Sequence, residues 1–221
     1  MTDIPPPPPF PPPSGPPAGS GGPDAGAALS YGWKKFQENV GPLLAVVLIP
    51  VAVQLIVSAI GRSINGVFAA LLFQLVAIVA GAIAGLGIYR VALMITAGEP
   101  VSIGKAFQYD RMAEWVVFSV VFGLGLFIGL VLCVIPGLFF LAFFGLAPFY
   151  FLDGGMNLGE AFNASREAVS SKGLAFPILL SIIVGVLGVI ACVVGVLVTE
   201  PIAYLAVAYL YRYAAGQTVA A

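Results

Sequence analysis

From Leu43 onward the chain is written in long apolar blocks, at 43 to 60, 67 to 88, 116 to 135, 137 to 152, 174 to 193 and 196 to 213, with polar residues confined to the gaps. About 20 apolar residues carry a helix across the hydrocarbon core of a bilayer, so each block reads as one crossing. The gaps inside successive pairs are short, "GRSING", "IPG" and a stretch around Gly195 to Pro201. The expected fold is therefore an all-α integral membrane domain over residues 24–216, with six transmembrane helices arranged as three hairpins.

The longer gaps repeat a phrase. "DAGAAL" at 24–29, "SIGKAF" at 102–107 and "NLGEAF" at 157–162 share a polar residue, a glycine two places on and an alanine followed by Leu or Phe. Asp24, Ser102 and Asn157 are residue types whose side-chain oxygens accept a bond from a free amide in the first helical turn. Each phrase thus predicts a helix start, and Asn157 with Glu160 has the spacing of a capping box. In the third copy Leu158, Ala161, Phe162, Ser165, Ala168 and Val169 form one face; in the first, Leu29, Trp33, Phe36 and Val40 form a comparable stripe. Amphipathic helices beside a span lie flat in the interface, so one is expected before each hairpin. The glycines and alanines of the phrases predict close backbone approach to neighbouring helices.

Composition agrees with the pattern. The chain is 60% hydrophobic and 9% charged, with mean hydropathy +1.06, far from the quarter-charged composition of soluble domains. A formal charge of -1 offers no basic surface for nucleic acid. Eleven of the eighteen prolines lie within residues 1–23, where proline, glycine and serine cannot bury a core; this leader is expected to be disordered and extended, a spacer or a docking strand for a protein partner. It lacks the basic and apolar regions of a secretory signal and is expected to stay on the chain. Lys34, Lys35, Arg90, Lys105, Arg111, Arg166, Lys172 and Arg212 fall on the side of both expected termini and only Arg62 on the other, which predicts that both termini are cytoplasmic.

Candidate chemistry is sparse. The chain has no histidine, no metal-ligand spacing and no nucleophile constellation, so no enzyme and no cofactor is expected. Cys133 and Cys192 stand in apolar runs and read as small buried hydrophobes. Glu200 is the one acid that a span could contain, and with Arg62 as the other charge on that side, an Arg62–Glu200 ion pair across the outer face is expected. Gln54 and Gln74 fall at matching heights in the first hairpin and predict a mid-membrane hydrogen bond. Pro50 and Pro148 lie within spans and each frees a carbonyl one turn back, a break that packs against neighbours or lines a cavity. "GAIAG" at 81–85 and "GLFIG" at 125–129 match the small-residue spacing of helix contacts.

The stretch "VIPGLFFLAFFGLAPFYFLDGGMNLGEAFNASREAVSSKG" with "TEPIAYLAVAYLYR" resembles a group of bacterial six-helix membrane proteins that includes the membrane domain fused to some glycerophosphodiester phosphodiesterases. "ALSYGWKKF" after a proline-rich leader is similar to small actinobacterial proline-rich membrane proteins. The resemblance implies a multi-pass protein of the bacterial plasma membrane, with membrane lipids as partners, and carries no catalytic residue. The functional expectation is a non-catalytic accessory or scaffold component of a membrane or cell-envelope complex. The alternative is a transporter or channel-like protein for a lipid or other apolar solute; oligomeric state is not legible.

Overall fold

A computed structural model describes residues 24–190 and 192–220, with the side chains of 188–190, 192–194 and 196 outside the description. The proline-rich leader, residues 1–23, and the side chain of Cys192 therefore lie outside the described residues. Ten helices occupy the described chain: α1 Ala25–Glu38, α2 Val40–Gly61, α3 Val67–Ala97, α4 Ile103–Phe107, α5 Met112–Leu132, α6 Val134–Phe144, α7 Ala147–Leu152, α8 Leu158–Lys172, α9 Ala175–Ile190 and α10 Cys192–Ala215. Four helical segments are long and apolar enough to cross a membrane: α2, α3, α5 and Val134–Leu152, which joins α6 and α7. A fifth is reached if α8 and the first part of α9, bent by 111°, are counted together.

The helices begin and end where local chemistry directs. Asp24 accepts from the Gly26 amide at 3.1 Å, and Asn157 and Glu160 form the full reciprocal box, each bond 2.9 Å. Ser102 occupies the N-cap of α4 but makes no side-chain cap bond. α3 runs well past the expected end of its span, because Val91–Thr96 beyond Arg90 is buried among other helices. Gly98 closes it in a left-handed conformation, φ 75°, which glycine adopts without a Cβ clash. The turn expected near Gly195–Pro201 is absent, since α10 runs through both residues.

Helices α2 and α3, α5 and α6, and α9 and α10 pack together as consecutive pairs. The short helices pack across these pairs: α4 on α2 and α3, α8 on α6 and α7, and α1 on α9 and α10, so each short helix precedes one pair in sequence and packs on helices of another. The repeated phrase shows how. Its alanine, Ala28, Ala106 or Ala161, has no exposed surface in any copy, whereas Cβ atoms at Gly26, Gly104 and Gly159 would meet only the cap residue or open space. Alanine, not glycine, makes the contact. On α1 the buried face is Ala25, Ala28, Gly32, Lys35 and Phe36, not the expected Leu29, Trp33, Phe36 and Val40 stripe; Trp33 and Val40 are exposed. Gly32 lies so close to α10 that a Cβ there would come within 2.6 Å of the Ile202 carbonyl oxygen.

The core sits at the end of the bundle where α3, α7 and α10 finish. Leu146 to Leu152 of the α6–α7 segment, Ala92 to Ile95 of α3 and Leu205 to Tyr211 of α10 make up nearly half of it. Away from this end the surface is apolar and bare: Val67 is 80% exposed and Phe68 76%, with Leu55, Ile56, Ile60, Leu71 and Leu75 around them. A surface of this kind is stable only against an apolar surrounding.

Candidate functional site

Two of the cavities are lined in part by α10, one by Glu200, Ala203, Tyr204 and Val207 and the other by Arg212. The larger, about 360 Å³, lies among α3, α5, α6, α7, α9 and α10 and is lined by Tyr89, Phe122, Leu141, Gly145, Phe149, Ile182, Gly185, Val186, Glu200, Ala203, Tyr204 and Val207. Its opening toward the outside of the bundle is marked by Val186, a lining residue that is 57% exposed. Glycines make the room. Gly145 sits in the break between α6 and α7, where a Cβ would approach the Leu141 oxygen to 2.6 Å, and Gly185 lets α9 close on Ala203 of α10. Thr199 pins these two helices by donating to the Gly185 carbonyl at 3.1 Å.

The break itself follows from Pro148, which stands at the start of α7 and has no amide to continue the ladder. Beside this break, the Phe143 carbonyl accepts from Ser165 Oγ of α8 at 2.8 Å. Pro148 also borders a smaller space of about 190 Å³ that shares Tyr89 and Phe122 with the large cavity. Pro50 is contained within α2 and lines none of these three cavities.

Among the described residues Glu200 is the one charged residue on the large cavity. It lies within α10, about 12 Å along the axis from Cys192 at 1.5 Å per residue, and no hydrogen-bond or ion-pair partner accompanies it among the described residues. The expected Arg62–Glu200 pair is not formed: Arg62 is exposed beyond the end of α2, while α10 carries Glu200 inward to face the cavity. Around Glu200 the walls are aromatic. Tyr89 meets Tyr204 edge to face at 4.9 Å between centroids and Phe149 at 5.4 Å.

The second cavity, about 240 Å³, is lined by Arg90, Leu93, Met94, Ala97, Glu99, Leu152, Asp153 and Arg212. Here charge is organised. Arg212, 8% exposed, donates from Nε to Thr96 Oγ1 at 2.8 Å, from Nη2 to the Leu93 carbonyl at 3.0 Å and from Nη1 to Gln217 Oε1 at 2.7 Å. Gln217 Nε2 passes the chain on to Asp153 Oδ2 at 3.0 Å, which also accepts from Tyr211 OH at 2.8 Å. Arg90 lies over the Tyr109 ring at 5.4 Å, with its Nε buried and unpartnered. Nearby on α1, burial pushes the Tyr31 hydroxyl up to about 12. The polar network was missed from sequence, although the Tyr-Arg dipeptides at 89–90 and 211–212 marked two of its members.

Other expected sites resolve differently. Gln54 donates to Ser58 Oγ one turn along its own helix at 3.4 Å, and both Gln54 and Gln74 are exposed on the outside of the bundle; the expected bond between them is not formed. Cys133 is exposed at the junction of α5 and α6, not buried. Of the two small-residue pairs, 125–129 is used: a Cβ on Gly129 would meet the Gly137 backbone at 3.0 Å, while Gly81 and Gly85 face open space. Among the described residues no group of His, Cys, Asp and Glu could hold a metal ion.

The chain is 32% identical over 135 residues to the uncharacterised proteins Rv2560 of Mycobacterium tuberculosis and Mb2590 of Mycobacterium bovis, a match that covers 60% of this chain. The matched region spans 42% of the length of these curated relatives. No protein-family model matches the chain, and no solved structure matches it.

Proposed function

We propose that this chain is a six-span membrane protein that holds a lipid chain or another apolar molecule between its helices. The carrying observation is the cavity of about 360 Å³ that opens beside Val186. A purely structural component gains stability from close packing at every contact, and a void of this size forfeits it. Ligand pockets, in contrast, have volumes of about 300–1,000 Å³ and apolar walls with a few polar groups. On this reading α2, α3, α5, α6 with α7, α9 and α10 are the spans, paired as three hairpins. α1, α4 and α8 lie along the cytoplasmic interface of the plasma membrane, where the positive-inside bias places both termini.

The test uses the intact protein in lipid nanodiscs and a diazirine-bearing octanol as photoprobe. Adducts mapped by mass spectrometry should fall on Phe149, Ile182 or Ala203 and should be lost in Val186→Trp, which plugs an exposed rim position. Labelling confined to the bare surface, at Leu55, Leu71 and their neighbours, would overturn the reading.

A further inference from the structure

We propose that the cavity takes the cationic head of an amphiphile, a quaternary or protonated amine on an apolar tail, with Glu200 as its counter-charge. The inference rests on the apolar-carrier reading above and names its ligand class. Three observations converge on it. Among the described residues Glu200 is the cavity's one ionisable carboxyl, and no basic residue lines the walls. It has no hydrogen-bond or ion-pair partner among the described residues, although charges inside membranes ordinarily pair with one another or mark a ligand pathway. Finally, Tyr89, Phe122, Phe149 and Tyr204 share the same walls, and the faces of aromatic rings attract ammonium groups, most strongly where water is displaced.

The physical logic is one of exchange. A carboxylate in an apolar cavity is costly unless a cation accompanies it, and an ammonium head entering the cavity supplies that cation while its tail covers apolar wall. An anionic head of the same length meets repulsion from Glu200 and the negative faces of the rings. A neutral head meets neither effect. The second cavity does not compete for this role, because its arginines and carboxylates are both present and Arg212 is already engaged with Thr96, Leu93 and Gln217.

Photolabelling in nanodiscs of zwitterionic lipid separates the possibilities. Octyltrimethylammonium and octyl sulfate, matched in chain length to the octanol probe, compete for the labelled cavity in the wild type and in Glu200→Gln. The expected result is protection by the cation at a concentration about tenfold below that of the sulfate, with the preference abolished in Glu200→Gln while octanol labelling persists. Equal protection by both in the wild type would overturn the cationic-ligand inference and leave the apolar-carrier reading standing. Undiminished preference in Glu200→Gln would overturn the assignment of Glu200. Absence of cavity labelling in the wild type would overturn both readings.

Discussion

Helix α10 carries two charges, and the molecule treats them in opposite ways. Arg212 is enclosed and given three acceptors from two other segments, Leu93 and Thr96 on α3 and Gln217 beyond the helix end. Glu200, on the same helix, faces a cavity with aromatic walls and has no partner among the described residues. A charge met on every side is part of the scaffold, since removing it would strand the groups built around it. A charge left unmet in an apolar cavity costs stability and persists where something else supplies its partner. Between the two charges α1 closes on α10, where Gly32 meets the backbone at Ile202 and Ala206.

The largest effect expected from breaking this contrast is at Arg212. Arg212→Ala leaves the Thr96 hydroxyl and Leu93 carbonyl without their donor and should cost about 3 kcal/mol, measured as a lowered denaturation midpoint in mild detergent. Next is Gly32→Val, which drives a side chain against the Ile202 carbonyl and should cost about 2 kcal/mol, with faster proteolysis of α1 as an independent readout. The caps give a smaller and more selective effect. Asn157→Ala removes a formed capping box and should cost about 1 kcal/mol, while Ser102→Ala, where no cap bond exists, should stay within about 0.5 kcal/mol. The smallest stability effect belongs to Glu200→Gln, whose midpoint should be unchanged or higher. Combined with Arg62→Gln it should be additive within about 0.5 kcal/mol, because the two residues do not interact; a large non-additive term would restore the outer-face ion pair.

These differences mark what can be read along a chain. The apolar blocks, the caps at Asp24 and Asn157 and the burial of Ala28, Ala106 and Ala161 were legible because each depends on neighbours a few residues away or on a repeated local need. The face that α1 buries was misread because hydrophobicity alone favours Trp33 and Val40, whereas close packing on α10 favours the small residues of the other stripe. The Gln54–Gln74 bond failed for a similar reason: matching height does not bring two side chains to facing sides of their helices.

By itself the sequence determined that this chain is helical and apolar over membrane-spanning lengths, where the short helices α1, α4 and α8 start, and that its charges are few. Tertiary structure alone decided which of those charges would be paired. Arg212 finds partners 116 and 119 positions away in sequence, and Glu200 loses the one that linear order suggested. The reason is geometric: a helix fixes the spacing of its own side chains, but its rotation and axial offset against its neighbours, set by the packing of many small contacts, decide what each side chain meets.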